Sequence, residues 1–454
     1  MDISTIVSKR KRRVIGISYI EPGLPHVEIM LNGKKINIVD TSHIENSYIR
    51  LPFNVKLFHK NFIVRKLSIT LSKFQKLPDR YIENKKKEIK RIEVERLIIG
   101  GGTSGLSALD KNSLLITREI LGDIEFDESL IPEIEREELL SKMKEKVKEY
   151  ESRIINGNFI GKFDEGLLFE TDYNYLLVNP KEIIIGVGGR TLRPIFKKNF
   201  IQGIVSRELY LKRLKDKYNN IIVLGFTNIT ARTALNAKKA TIIYPKGIKL
   251  IMSNFYKKLI EEEGIEIVND DIIDIKRNKD GIKVITKDGR TIQGQLVVFS
   301  VTKQPRIEVT YNIGLNYKFN RSLHIYQPES NEAIKAIGGT LGIMDEYVSY
   351  LSGINSLDQR VIKEYEPGLI DSLTQEKSPY LFGDSGMVCE CEDLDLEDVS
   401  FAIQLGFNNV EGIKRITGLG TGVCQGKVCS YLAGSLTESN TLISFRSPLY
   451  PVSL

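Results

Sequence analysis

The four cysteines of this 454-residue chain all lie in its last sixth, in two closely spaced pairs. Cys389 and Cys391 form a C-x-C pair, and Cys424 and Cys429 form a C-x4-C pair. Cysteines used only in packing would be scattered, so this clustering is typical of a metal centre held by thiolates. Zinc sites usually pair their thiolates as C-x2-C to C-x4-C, whereas a C-x-C pair fits one iron of a two-iron cluster. The spacing therefore favours a [2Fe–2S] cluster with these four ligands, and it leaves zinc or unligated thiols as alternatives.

Two short amphipathic helices are predicted between the pairs, over residues 396–406 and 409–419. Each begins beside an acid or an asparagine suited to helix capping. Two consecutive helices can return the chain to its starting point, so the distant cysteine pairs are expected to meet at one site.

Composition indicates an ordinary globular chain with a basic balance. The net charge is +7 with a pI near 8.9, and basic runs occur at residues 9–13 and 85–87. Neither run contains the aromatic residues on which bases stack, so nucleic-acid binding is not expected. No apolar run approaches the ~20 residues that span a bilayer, and the N-terminus resembles no secretory signal. The expected location is the cytoplasm, either free or peripheral at the inner face of the membrane.

A glycine motif follows the first strongly apolar strand. Gly100, Gly102 and Gly105 have the spacing G-x-G-x-x-G and precede a helix. The first glycine permits a tight turn, the second lets a pyrophosphate approach the backbone, and the third lets helix and strand pack closely. The motif predicts a dinucleotide site. Thr117 stands where an acid would bind the ribose, with Glu119 the nearest carboxylate, so a structural turn without ligand is the alternative.

A second strand–turn–helix pattern covers residues 219–235 and keeps little of this motif. Only Gly225 remains, and Thr227 and Thr230 would crowd a pyrophosphate. NAD(P)H binding is therefore not expected here, and a mononucleotide site or an empty lobe is favoured. Residues 127–150, between the two patterns, are predicted to form a helix because acids come early and lysines late.

These patterns predict an α/β chain with two dinucleotide-binding lobes, one inserted into the other, as in glutathione-reductase-like flavoproteins. A hairpin at residues 27–39 indicates a small, mostly-β N-terminal domain without a cluster. The predicted domains are the N-terminal domain at 1–90, the FAD or nucleotide lobe at 91–215 and 300–355, the inserted degenerate NAD(P)-type lobe at 216–299, a linker at 356–384, and a helical cysteine domain at 385–454.

The cysteine segments VCECEDLDLEDV and GLGTGVCQGKVC resemble the [2Fe–2S] domain of the bacterioferritin-associated ferredoxin (BFD) type. Nearly the whole chain resembles the α subunits of heteromeric FAD-dependent amino-acid dehydrogenases and oxidases. These include dye-linked proline and hydroxyproline dehydrogenases, heterotetrameric sarcosine oxidase, opine oxidase and hydrogen cyanide synthase. VEIMLNGKKINI resembles their ferredoxin-like β domain, LIIGGGTSGLSAL their FAD turn, and AIKAIGGTLG their last FAD segment.

The resemblance implies ligands, cofactors and partners. The residues that match the family's cluster ligands are Cys389, Cys391, Cys424 and Cys429, and those in its FAD segments are Gly100, Gly102, Gly105, Gly188 and Gly339. The family's acid is not matched at Thr117, and its Gly-Asp is replaced by Gly339-Thr340, so another nucleotide such as ATP is an alternative to FAD. A β subunit with its own flavin would oxidise the substrate, and a quinone or a small electron carrier would accept the electrons.

The expected function is therefore electron transfer in an oxidoreductase complex, with no catalytic residue assigned in this chain. A stand-alone NAD(P)H-dependent flavin reductase of the pyridine nucleotide-disulfide oxidoreductase type is one alternative, although it needs a competent second lobe. A structural subunit with vestigial nucleotide lobes and a zinc-bound tail is another.

Overall fold

A computed structural model describes residues 87–450, apart from 279–280, 371–372 and 423, together with three short strands before residue 50. In chain order the strands are β1 (Glu28–Leu31), β2 (Lys34–Asn37), β3 (Tyr48–Ile49), β4 (Ile89–Gly102), β5 (Ser113–Leu121), β6 (Ile154–Asn156), β7 (Asn158–Phe163), β8 (Gly166–Glu170), β9 (Tyr175–Ile185), β10 (Gly189–Arg190), β11 (Ile204–Ser206), β12 (Asn220–Leu224), β13 (Lys239–Tyr244), β14 (Glu266–Asn269), β15 (Ile272–Asn278), β16 (Gly281–Thr286), β17 (Thr291–Gly294), β18 (Leu296–Phe299), β19 (Gln304–Pro305), β20 (Asn316–Asn320), β21 (Ile325–Glu329), β22 (Ile334–Ala336), β23 (Met387–Cys389) and β24 (Leu394–Asp395). The α-helices are α1 (Thr103–Ala108), α2 (Arg136–Glu149), α3 (Arg207–Leu209), α4 (Asn228–Leu235), α5 (Asn254–Glu262), α6 (Ile307–Ile313), α7 (Glu346–Gly353), α8 (Gln359–Tyr365), α9 (Leu396–Gln404), α10 (Val410–Thr417) and α11 (Cys429–Thr437).

The predicted N-terminal hairpin is confirmed. β1 and β2 pair antiparallel, with Leu31 opposite Lys34 and Glu28 opposite Asn37, which is the strand pairing of a hairpin. β3 pairs with the other edge of β1. The rest of the predicted domain at 1–90 lies almost entirely outside the described residues.

The first lobe is built on a seven-stranded sheet in the order β6-β5-β4-β9-β8-β7, with β22 paired to β9. β4 runs parallel to both β5 and β9. Its residues Leu97, Ile98 and Ile99 are buried, as is typical of a parallel strand covered on both faces. β4 ends in the glycine motif, which therefore lies at the carboxyl edge of the sheet, where α/β folds bind ligands.

The helix predicted over residues 127–150 begins only at Arg136, so the prediction was wrong for its first part. Asp127 is buried, and its carboxylate pairs with Arg207 and Arg232. These partners come from distant segments and hold the chain in an irregular turn. A local pattern of early acids could not reveal them.

The second lobe has a five-stranded parallel sheet in the order β11-β18-β12-β13-β14 and a three-stranded antiparallel sheet, β15-β16-β17. α4 connects β12 to β13, and α5 precedes β14. After this lobe the chain returns through β22 to the first sheet and then to α7, which packs against α1: a Cβ at Gly353 would lie 2.3 Å from the carbonyl of Ser104.

The C-terminal region contains the two helices predicted between the cysteine pairs, observed as α9 and α10. Asp395 and Asp398 cap α9 reciprocally, and the side chain of Asn409 accepts a hydrogen bond from Gly412 at the start of α10. α11, which was not predicted, begins at Cys429. In the described part of the chain, no helix is both long and apolar enough to cross a membrane.

Candidate functional site

The four cysteines come from separate points of the C-terminal region and meet at one pocket. Cys389 ends β23, and Cys391 follows it in the turn towards β24. Cys424 lies in the glycine-rich turn after α10, and Cys429 is the first residue of α11. The remaining walls of the pocket are formed by Arg193, Met387, Val388, Glu390, Val428 and Leu432.

The thiols lie within hydrogen-bonding reach of one another. Cys429 interacts with both Cys389 and Cys424, and Cys391 interacts with Cys424. Hydrogen bonding among these sulfurs lowers the pKa of Cys389 and Cys424, and, together with burial, raises the pKa of Cys391 and Cys429. Cys391 is partly exposed, whereas the other three cysteines are buried. The pocket therefore reaches the surface at Cys391.

Backbone N–H groups also point at the sulfur atoms. Those of Glu392 and Gly420 donate to Cys389, and that of Gly426 donates to Cys424. Gly420 and Gly426 have φ values of 81° and 76°, a region that favours glycine. Amide donors of this kind stabilise negative charge on sulfur and are one of the means by which proteins tune iron–sulfur centres.

Four converging thiols with inward-pointing amides fit the ligand shell of a [2Fe–2S] cluster. Among the described residues, no group of three or more His, Cys, Asp or Glu side chains is arranged to hold a metal ion. When bound, such a cluster would supply one-electron transfer.

Three buried cations, Arg190, Arg193 and Lys427, lie around the cysteine pocket, and none of them was predicted from the sequence. Arg193 pairs with Glu390; burial raises the pKa of Glu390 to about 7 although Arg193 opposes this shift. Arg190 pairs with Glu308 at 2.6 Å and donates to the carbonyl of Lys427 at 3.0 Å. Only Lys427 lies near the cysteines in the sequence, between Cys424 and Cys429. Both arginines belong to the first lobe and are far from the cysteines in sequence, so nothing in the sequence indicated that they lie around the pocket.

The first glycine turn keeps the backbone geometry of a dinucleotide site. A Cβ at Gly100 would lie 2.3 Å from the carbonyl oxygen of Gly186, just after the neighbouring strand β9. A Cβ at Gly105 would lie 2.0 Å from the carbonyl oxygen of Gly100, so this glycine lets helix α1 pack directly on β4. A Cβ at Gly102 or Gly188 would meet nothing within 4 Å. A Cβ at Gly339 would lie 3.2 Å from the Cα of Gly188, so the predicted FAD segments are adjacent. The open cradle at Gly102 and Gly188 fits a pyrophosphate-bearing cofactor.

The side chains near this turn depart from the usual pattern. Thr117 donates to the carbonyl of Glu119 at 2.6 Å, and the carboxylate of Glu119 pairs with Lys212. Position 117 is therefore a threonine, where an acidic side chain that binds the ribose hydroxyls was expected. Thr103 donates to Glu346 at 2.5 Å, so a carboxylate already lies at the start of α1. The cradle would hold a cofactor chiefly through its backbone.

The second turn is closed by its own side chains. Thr230 Oγ1 accepts from the N–H of Thr227 at 3.1 Å and donates to the carbonyl of Ser300 at 2.7 Å. The N–H of Ile251 donates to the carbonyl of Phe226 at 2.8 Å, so the segment before α5 lies against the turn. Because these backbone and hydroxyl groups already bond to one another, the turn has few free N–H groups with which to bind a pyrophosphate.

Two protein-family models match the chain. Residues 94–338, more than half of the chain, match the family described as pyridine nucleotide-disulphide oxidoreductase. Residues 387–436 match the BFD-like [2Fe-2S] binding domain, and this range includes all four cysteines. The first match supports FAD as a cofactor and the second supports the [2Fe–2S] cluster. No curated protein matches the sequence.

Of the solved structures described here, the one with a TM-score above 0.5 shares the fold of this chain. The L-proline dehydrogenase from P. horikoshii aligns with a TM-score of 0.60 and 19% identity, over 81% of this chain and 79% of that chain. The T. acidophilum thioredoxin reductase aligns with a TM-score of 0.43 and 16% identity, over 58% and 96%. The bacillithiol disulfide reductase Bdr (YpdA) from Staphylococcus aureus aligns with a TM-score of 0.42 and 16% identity, over 60% of this chain and 99% of that chain. The chain thus belongs to the pyridine nucleotide-disulphide oxidoreductase family, as an oxidoreductase with a two-lobed flavoprotein fold and a C-terminal BFD-like [2Fe–2S] domain.

Proposed function

We propose that the chain is the electron-transfer α subunit of a heteromeric, flavin-dependent amino-acid or amine dehydrogenase. The substrate would be of the proline, hydroxyproline, sarcosine or opine type. The observation that carries this proposal is the placement of the cysteine pocket, which is packed against the nucleotide lobe and reaches the surface at Cys391. The fold shared with an L-proline dehydrogenase supports the substrate class.

The contacts between pocket and lobe support a role in electron transfer. Arg190 comes two residues after Gly188 of the open cradle, and its guanidinium donates to the carbonyl of Lys427 beside the cysteines. Asn199 also joins the first lobe to the cysteine region. Its side-chain oxygen accepts from the N–H of Met387 at 2.9 Å, and its side-chain nitrogen donates to the carbonyl of Met387 at 2.8 Å. Fixed contacts of this kind would keep a flavin in the first lobe and a cluster in the cysteine pocket at a constant distance. Electron transfer between them would then require no rearrangement of these contacts.

The division of labour follows from these features. We assign substrate oxidation to a partner β subunit with its own flavin, and passage of single electrons to this chain. A flavin can give up electrons one or two at a time, so a one-electron centre beside it divides a two-electron oxidation. In this chain, apolar Val388 and Leu432 shield the pocket from water, and Cys391 is the ligand nearest a docked partner.

A quinone or a small electron carrier is the proposed acceptor, and the proposed location is the cytoplasm or the inner face of the membrane. The first lobe is proposed to hold FAD, with ATP as the competing ligand because no acid stands at Thr117. Mass spectrometry of the nucleotide released from the purified chain distinguishes the two.

The alternative of a stand-alone NAD(P)H-dependent reductase is disfavoured by the second lobe. There Thr227 and Thr230 satisfy one another and the neighbouring backbone. We therefore expect NADH and NADPH to leave the visible spectrum of the anaerobic chain unchanged. Rapid reduction by either nucleotide would support that alternative instead.

The decisive experiment uses the full chain, purified anaerobically and combined with its flavin-containing partner. We expect one of the amino acids named above to produce the EPR signal of a reduced [2Fe–2S] cluster. The Cys424→Ser variant should stay folded by circular dichroism and lose this signal, whereas the neighbouring Thr421→Ser variant should keep it. Full turnover to the acceptor by the complex with iron-free Cys424→Ser chain would refute the proposal.

A further inference from the structure

Lys427 is a buried cation without a carboxylate partner. Its side chain is 2% exposed, and its ammonium donates to the carbonyl of Cys424 at 3.0 Å. The ammonium also lies 5.1 Å from the centre of the Tyr450 ring. Among the described residues, no Asp or Glu oxygen lies within ion-pair distance of it. Burial of an unpaired charge costs several kcal/mol, so a compensating negative charge is expected nearby.

The carboxylates closest to the pocket are already engaged with other cations. Glu308 pairs with Arg190 and also accepts a hydrogen bond from Tyr431 at 2.6 Å. Glu390 pairs with Arg193. Each arginine therefore has its own carboxylate in direct contact. Lys427 feels the opposed charges of Glu308 and Arg190 from a distance, and Cys424 and Cys391 add further attraction. Because Arg190 opposes the attraction of Glu308, the cysteine sulfurs are the negative groups left to balance the ammonium.

We propose that Lys427 is the internal counter-charge of the [2Fe–2S] cluster and raises its reduction potential. This inference rests on the proposed function, because it assumes that the four thiolates hold a redox cluster. Reduction adds one electron to an already anionic centre without forming or breaking a bond. A fixed ammonium nearby therefore stabilises the reduced form more than the oxidised form.

Arg190 is the positioning residue for this counter-charge. Its guanidinium donates to the carbonyl of Lys427 at 3.0 Å and pairs with Glu308 at 2.6 Å. Glu308 is held in turn by a hydrogen bond from the hydroxyl of Tyr431. The backbone of Lys427 is thus tied to the first lobe, while its ammonium is directed to the carbonyl of Cys424. The lobe and the cysteine turn together determine where the positive charge lies.

The test is an EPR-monitored redox titration of the full, anaerobically purified chain with dithionite as reductant. In Lys427→Met we expect the equilibrium constant for cluster reduction to fall about tenfold, which is ~59 mV towards negative potential. Lys427→Arg should keep the wild-type potential. Arg415→Met removes a cation that is 75% exposed in the same domain, and it should have no effect. An unchanged potential in Lys427→Met would overturn the proposal, as would equal shifts in the Met and Arg variants.

If Lys427→Met fails to assemble a cluster, its potential cannot be measured, and iron and sulfide analysis of both variants tests the proposal instead. Assembly in Lys427→Arg but not in Lys427→Met supports a requirement for the charge, whereas failure in both variants overturns the proposal. The titration uses a chemical reductant and no partner subunit. A wrong substrate class or partner would therefore leave its result intact, so the two proposals can fail separately.

Discussion

Gly422 lies so close to a predicted cluster ligand that no side chain fits there. A Cβ at this position would be 2.2 Å from the Cβ of Cys391. Overpacking typically costs ~1–3 kcal/mol, and here the strain acts directly on a ligand. We expect Gly422→Ala to lose most of its iron and sulfide, measured per chain after anaerobic purification. Thr421→Ala changes an exposed neighbour and should keep its cluster; equal iron contents in the two variants would contradict the interpretation.

Glu366 is a buried carboxyl whose pKa is raised to about 8, first by burial and then by neighbouring Asp345. The ordinary pKa of a glutamate side chain is 4.5, so between pH 4.5 and about 8 the folded chain holds a proton that the unfolded chain releases. Stability is therefore expected to fall as pH rises from about 5 to 8, by on the order of 5 kcal/mol if this group acts alone. Arg232 opposes the shift and reduces the effect.

The matched variant for this pH dependence is Glu366→Gln, which keeps an oxygen to accept from the N–H groups of Met344 and Asp345. Thermal unfolding at pH 5, 7 and 8.5 is the measurement. We expect the wild-type midpoint to fall across this range and the variant to show a smaller decrease. Parallel curves for the two proteins would assign the pH dependence to other groups.

At the scale of elements, α4 depends on a threonine that connects it to a neighbouring strand. Thr230 accepts from Thr227 and donates to the carbonyl of Ser300, which follows β18. Thr230→Val removes both bonds and leaves buried backbone groups without partners, at a cost of about 2–3 kcal/mol. Thr230→Ser keeps the hydroxyl and should lose much less. Chemical unfolding compares the two, and an equal loss would show that methyl packing dominates.

Elements with a local cause could be predicted from the sequence, and elements fixed by distant partners could not. α9 and α10 carry their own capping residues, Asp395 and Asn409, and both were predicted. The start of α2 was misplaced because Asp127 is held by arginines from other segments.

At the scale of the whole molecule, the meeting of the four cysteines at one pocket could be predicted from their paired spacing and from the two helices between the pairs. Their surroundings could not. Arg190, Glu308 and Lys427 come from three segments that approach one another only in the folded chain. For the glycines of the first lobe, the surroundings could be predicted but the ligand could not. Close backbone contacts alone are enough to require glycine at positions 100 and 105. A sequence motif therefore predicted the cradle without deciding what it binds.

The two lobes are held together by buried ion pairs. Asp127 belongs to the first lobe, and it pairs with Arg207, at the entry to the second lobe, and with Arg232 of α4. Asp123 pairs with Arg207 and with Lys303, each at 2.8 Å. Because Asp127 bonds both arginines, it is the residue on which the junction depends most.

Asp127→Asn is expected to destabilise the whole chain, because it leaves two buried guanidinium groups with one fewer negative partner. Removal of one member of a buried ion pair typically costs about 3–5 kcal/mol. Glu137→Gln is the control, since the carboxylate of Glu137 is 76% exposed in its pair with Arg136 and should contribute little. Urea unfolding monitored by circular dichroism measures both. Both arginines border the second lobe, so we expect Asp127→Asn to lower the unfolding midpoint of that lobe along with the first. Unfolding of the first lobe alone would show that the lobes are stabilised independently.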